Sequence, residues 1–67
     1  MHVESAAIFA IDYDTRRRRL HVTFVSGQRY AYDEVPGEVH RAFLDAESKG
    51  RFFQAQIRDR YRHAKLG

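Results

Sequence analysis

From Lys49 to Gly67 the chain carries six Lys or Arg residues against a single acid, Asp59. The cations are Lys49, Arg51, Arg58, Arg60, Arg62 and Lys65, with Phe52, Phe53 and Tyr61 interleaved among them. Cations gathered on one surface neutralise phosphates and release condensed counterions, the basis of salt-dependent nucleic-acid binding. Aromatic rings beside them can stack on unpaired bases. The candidate phosphate contacts are therefore Lys49, Arg51, Arg58, Arg60 and Arg62, with Phe52 or Tyr61 as candidate stacking rings. Packing competes for the aromatics. Phe53, Ile57 and Tyr61 are spaced four apart, which places them on one face of a helix and accounts for them as core. Phe52 lies off that stripe. A solvated helix face competes for the charges, but the lone acid leaves most of them without a partner in sequence.

Arg16-Arg17-Arg18-Arg19 is a second basic feature. Four consecutive arginines repel one another, and the guanidinium fork matches phosphate oxygens. Arg16 and Arg17 are accordingly candidate contacts at a hairpin tip; a mobile, solvated turn that protects a sheet edge is the competing reading. Ser48-Lys49-Gly50 leads into a helix, but lacks the length and spacing of a phosphate-binding P-loop. A turn between helices, with Ser48 and Gly50 as capping residues, explains it better. The histidines, His2, His21, His40 and His63, form no pair at metal-ligand spacing. The acids are scattered, no nucleophile-base-orienter set is visible, and so small a domain could hardly enclose a water-excluding pocket. The expectation is a non-enzymatic module with no cofactor and no metal.

Sixty-seven residues make one domain. A domain this small buries about 60% of the surface its unfolded chain exposes, so the core is small. The hydrophobic fraction of 43% and charged fraction of 31% suit a folded chain rather than a disordered one. There is no cysteine, which excludes disulfides and thiolate metal sites and fits a reducing, cytoplasmic setting. No apolar run is long enough to span a membrane. The start, MHVESAAIFAIDYD, carries Glu4 and no basic region, and reads as a strand rather than a signal peptide. The net charge of +3 is unevenly placed: residues 1–48 hold six Arg against eight acids. A basic C-terminal end on a mildly acidic body points to an anionic partner.

The elements that must position these side chains follow from periodicity. Ala7, Phe9, Ile11 and Tyr13 alternate and predict a first strand with those residues on one face. Asp14-Thr15-Arg16-Arg17 is a polar turn in which Asp14 can bond its own downstream backbone. Leu20, Val22 and Phe24 alternate with His21 and Thr23 in a second strand. A two-residue loop at Ser26-Gly27 would put the tyrosines of the next strand on the wrong face. A three-residue loop, Val25-Ser26-Gly27, with Gly27 in the left-handed region, pairs Phe24 with Gln28, Val22 with Tyr30 and Leu20 with Tyr32. A one-residue slip would turn a whole strand over, so the three-residue loop is the expected one, with a third strand from Gln28 to Asp33. Val35-Pro36 ends the sheet. Val39, Ala42, Phe43 and Ala46 recur at helical spacing from about Pro36 to Glu47, with Gly50 as the residue past its end. A second helix runs from about Arg51 to Arg58, and residues 63–67 are expected to fray. The fold class is α+β: a three-stranded antiparallel meander followed by two short helices packed on one face, β-β-β-α-α. The expected core is Ile11, Leu20, Val22, Phe24, Tyr30 and Tyr32 against Phe43, Phe53 and Ile57.

Taken in order, these residues resemble the KTSC domain, the module found at the C-terminus of some lysyl-tRNA synthetases and as short stand-alone bacterial proteins. The resemblance runs from about Ser5 to Tyr61. It rests on Ile11-x-Tyr13, Leu20-x-Val22-x-Phe24, Ser26-Gly27, Tyr30-x-Tyr32, Val35-Pro36 and above all Ala46-Glu47-Ser48-Lys49-Gly50 with Phe53, Ile57 and Arg58. The Ser-Lys-Gly-x-x-Phe-x-x-x-Ile-Arg string is its most specific part. The resemblance implies nucleic-acid binding, RNA preferred, and brings no catalytic residues. The expectation is an RNA-binding accessory module, a monomer or weak dimer, acting through its basic C-terminal helix surface. The alternative is a protein-interaction module using the outer sheet face at His21, Thr23, Arg29 and Ala31 or the exposed helix edge.

Overall fold

The structure, a computed structural model, covers residues 1–67. Strands β1 (Ile8–Asp14), β2 (Arg19–Phe24) and β3 (Arg29–Tyr32) form an antiparallel meander. Helices α1 (Gly37–Asp45) and α2 (Lys49–Gln56) follow, and a short strand β4 (His63–Lys65) then returns to pair with β3. The sheet order is β1-β2-β3-β4.

The β2–β3 register is the one the three-residue loop requires: Leu20 faces Tyr32 and Val22 faces Tyr30. The Phe24 amide donates to the Gln28 carbonyl at 2.8 Å, and the Gly27 amide donates to the Phe24 carbonyl at 2.9 Å. Gly27 has φ +98°, a conformation that an L side chain resists.

β1 departs from simple alternation. Ile8 pairs with Phe24, but Ala10 pairs with Thr23, so Phe9 is the extra residue of a β-bulge. The bulge lets Ile8 and Ile11, three apart, both enter the core with no exposure. Phe9 is turned outward, 51% exposed, and its ring lies 4.7 Å from that of His2. The expected face of Ala7, Phe9, Ile11 and Tyr13 is corrected accordingly, with Ile8 in place of Ala7 and Phe9.

Both sheet edges are lined by chain ends. On the β1 side the Val3 amide donates to the Phe9 carbonyl, and the Ile11 amide donates to the Met1 carbonyl. The Met1 amine is also paired with the Asp12 carboxylate. On the other side, residues 63–67 form β4 and its extension instead of fraying. The Leu66 amide donates to the Arg29 carbonyl at 2.7 Å, and the Arg29 amide donates to the Gly67 carbonyl at 2.9 Å. His63 stacks obliquely on Tyr32, ring centroids 5.3 Å apart, which adds side-chain packing to the backbone pairing.

The helices cover one sheet face. The core joins Val3, Ile8, Ile11, Leu20, Val22, Tyr32 and Val35 to Phe43 of α1 and to Phe53 and Ile57 in and just after α2. Val3 and Val35 extend the expected core, while Phe24 and Tyr30 pack against it partly exposed. Pro36, extended at ψ 148°, precedes the first residue of α1 and leaves it without a side-chain cap. Ser48 caps α2, its Oγ accepting the Arg51 amide at 3.2 Å. Gly50 is the second residue of α2 rather than the residue ending α1, because the chain between the helices is only Ala46 to Ser48.

Candidate nucleic-acid interface and an aromatic cleft

Each cation of the C-terminal stretch is placed by a particular local cause. The Ser48 cap makes Lys49 the first residue of α2, and its Nζ turns back to the Ala46 carbonyl at 2.5 Å. That carbonyl belongs to the end of α1, where the helix dipole favours a cation. Arg60 lies in the turn after α2, and its Nε donates to the Ala55 carbonyl at 3.2 Å. Arg51, Arg58 and Arg62 are exposed. The protein's three ion pairs join Met1 to Asp12, Arg17 to Asp14 and Arg19 to Asp33, all within the first half of the chain. None of the six cations after Ser48 is paired with a carboxylate.

The arginine run at the β1–β2 tip is not uniform. The Asp14 carboxylate accepts the Arg17 amide at 3.1 Å, and that backbone bond is the chief reason its pKa is held below the ordinary carboxylate value. Arg18 takes a left-handed conformation, φ 54°, and its carbonyl accepts the Val35 amide at 2.8 Å. Arg19 reaches Asp33 at 2.9 Å. Arg16 is left exposed with no side-chain partner.

Both candidate stacking rings from the sequence take part in packing. Phe52 lies face to face with Phe43, centroids 5.3 Å apart and planes 15° apart. Tyr61, beyond the end of α2, is half-buried against the core. A second group of aromatic residues lies elsewhere. A cleft of about 740 Å³ opens between α2 and the end of the sheet that carries the Val25–Gly27 loop. Phe24, Tyr30, Tyr32, Phe53 and His63 line it, with Gln28, Gln54, Arg58 and Asp59 among its polar residues. The rings hold one another edge to face: Phe24 meets Phe53 at 5.2 Å, Phe24 meets Tyr30 at 5.8 Å and Tyr32 meets Phe53 at 5.6 Å. Burial, and then the neighbouring Tyr30, push the Tyr32 hydroxyl up to about 12, so it stays a neutral donor at neutral pH.

Arg58 therefore belongs to both the basic surface and the cleft. Arg16 and Arg17 do not line the cleft; they sit at the opposite end of the six-residue β2 from the Val25–Gly27 loop, about 20 Å from that loop at strand spacing. Strand alternation assigned Phe24, Tyr30 and Tyr32 to the core. The signal that they also line a cleft lies in α2: Phe53 meets Phe24 and Tyr32, but the other α2 residues at the cleft, Gly50 and Gln54, are too small or too polar to cover the rings.

The family model for the KTSC domain matches residues 4–61. This chain belongs to the KTSC family. A KTSC domain protein from Yersinia pestis, known from its crystal structure, is 38% identical and superposes with a TM-score of 0.94, covering 100% of this chain and 94% of that one. A protein of Tsukamurella paurometabola is 44% identical over 64 residues, 96% of each chain. A protein of Stutzerimonas stutzeri is 35% identical over 65 residues, 96% of this chain and 92% of its own. In this KTSC domain the Ser-Lys-Gly-x-x-Phe-x-x-x-Ile-Arg string has a role at every named position. Ser48 caps α2, Lys49 ties α2 back to α1, and Gly50 lines the cleft beside Ala7. Phe53 and Ile57 close the core, and Arg58 stands at the cleft.

Proposed function

We propose that this KTSC domain is an RNA-binding accessory module acting through the basic surface around α2. The observation that carries the reading is that none of the C-terminal cations has a carboxylate partner, whereas earlier in the chain the amine of Met1, Arg17 and Arg19 are each paired with an acid. Arg51, Arg58 and Arg62 are the principal phosphate contacts in this reading. Lys49 and Arg60 contribute charge from positions partly held by backbone carbonyls. Arg16 and Arg17 offer a separate contact at the far end of the sheet, and Phe52 and Tyr61 keep only partly exposed edges for stacking. The module is cytoplasmic and non-catalytic in this reading, a monomer or weak dimer; no helix is long and apolar enough to cross a membrane.

The test is fluorescence anisotropy of labelled single-stranded RNA at rising salt. For single strands the logarithm of affinity falls against the logarithm of salt with a slope of about 0.7 per phosphate contact. Arg58→Ala with Arg62→Ala should flatten that slope by about 1.4. No binding at low salt, or an unchanged slope in the folded double variant, would refute the reading. A second reading, a protein-interaction module, draws support from the outer sheet face. There His21, Ala31 and Ala64 pair in a row across three strands, His21 half-buried, Ala31 only 6% exposed and Ala64 exposed. It predicts no RNA affinity and unchanged behaviour of the arginine variants.

A further inference from the structure

The aromatic cleft has features that core formation leaves unexplained. Tyr32 is 3% exposed, its hydroxyl bonds to no protein group, and no buried polar side-chain atom in the molecule lacks a partner. The hydroxyl must therefore meet solvent, and the opening that Tyr32 lines is this cleft. A phenol otherwise enclosed by Phe53, Tyr30 and His63 thus presents its one polar atom to the cleft. Gln28, Gln54, Ser26, Arg58 and Asp59 are the polar residues among the others that line the cleft. The volume falls within the range of about 300–1,000 Å³ typical of sites that take small organic groups.

We propose that the cleft receives one unpaired base of an RNA strand, its ring against Tyr30, Phe24 and His63 and the adjoining phosphate at Arg58. The assignment rests on the RNA reading above. It follows from the chemistry of the walls. Aromatic surfaces attract any planar π-system. Amide and hydroxyl groups offer both donors and acceptors to a base edge. Arg58 supplies the positive charge a phosphate needs, free of any competing ion pair within the protein. An apolar protein side chain would use the rings but leave Gln28, Gln54 and the Tyr32 hydroxyl desolvated without partners, a costly arrangement. His63 ties the site to β4, so the returning strand builds one wall of it.

The experiment compares a labelled single-stranded RNA with the same strand carrying abasic nucleotides, at low salt, against the wild-type domain, Tyr30→Leu, Gln54→Ala and Arg62→Ala. The intact strand should bind about 5- to 150-fold more tightly than the abasic one. Tyr30→Leu and Gln54→Ala should narrow that gap, whereas Arg62→Ala should weaken both strands alike. Gln54 is exposed on α2, so Gln54→Ala keeps the test intact even if Tyr30→Leu fails to fold. Equal binding of the two strands to the wild-type domain would overturn the cleft assignment and leave the RNA reading standing. Failure of both strands to bind would overturn the RNA reading and this assignment with it. If AMP then still shifted the amide resonances of Tyr30, Gln54 and His63, the cleft would be a free-nucleotide site and not a strand site.

Discussion

Replacing Gly27 tests the hairpin on which the placement of Tyr30 and Tyr32 depends. Its φ of +98° is disfavoured for L residues, yet an added Cβ would meet nothing within 4 Å. The cost of Gly27→Ala is therefore backbone strain alone, about 1–2 kcal/mol, and Gly27→Val should cost at least as much because β-branching tightens the restriction. For 67 residues at about 2.1 cal/mol/K each, the unfolding entropy is about 140 cal/mol/K, so each kcal/mol moves Tm by about 7 °C. Gly27→Ala should then lower Tm by about 7–14 °C. The chain is short enough for chemical synthesis, which permits a sign test with D-alanine. D-Ala at position 27 accepts the positive φ, finds the same open space and restricts the unfolded chain. It should stabilise by about 0.4–1 kcal/mol, a rise of about 3–7 °C. Thermal unfolding followed by far-UV circular dichroism reads both. A Gly27→Ala domain with unchanged Tm, or L- and D-alanine shifting Tm in the same direction, would refute the argument that this one dihedral fixes the loop.

Gly50→Ala should act oppositely to Gly27→Ala: within α2, and with Ala7 Cβ at an ordinary 3.9 Å, it should raise stability by up to about 1 kcal/mol in the same melts. Deleting residues 63–67 should cost about 1–3 kcal/mol and speed amide exchange at Arg29, where a frayed tail would be removable at no cost. Phe43→Ala removes a fully buried ring and the stacking partner of Phe52, about 3–5 kcal/mol against a total of about 3–10 kcal/mol for a chain of this length, so denaturant melts should show it largely or wholly unfolded. Burial, and then Arg41, lower the pKa of His40, whose ring stacks on Tyr13, so the folded state favours the neutral imidazole. That stability is present above the ordinary value of 6.5 and is lost as pH falls through the folded pKa, so His40→Gln should reduce the loss of Tm between pH 7 and pH 5.

The β2–β3 register was legible because large apolar groups and one turn glycine left a single arrangement that kept a clean face. The bulge at Phe9 was not, since strict alternation is the only strand signal a sequence offers, and a bulge is a local breach of it. β4 escaped notice for a different reason. His63, Ala64 and Lys65 are polar or small and exposed, and what holds them is backbone pairing with β3, which carries no side-chain pattern. The basic residues could be named from composition, but their separation could not. Lys49 and Arg60 bond to backbone carbonyls and Arg17 and Arg19 to carboxylates, and these partners depend on which chain segments meet. Phe24, Tyr30 and Tyr32 were correctly assigned to the sheet's inner face; that two of them remain half-open follows from the short reach of α2 over that end.

The pairing of Met1–Val3 with β1 and of residues 63–67 with β3 has a topological consequence. The two chain ends lie on opposite borders of the sheet, with three strands between them. Four inter-strand spacings amount to about 19 Å. A circularly permuted domain would therefore need a connecting segment of about six extended residues. Opening the chain at Arg16 would place its new ends at a residue that does not line the cleft, whereas opening it at Ser26 would cut the cleft wall itself.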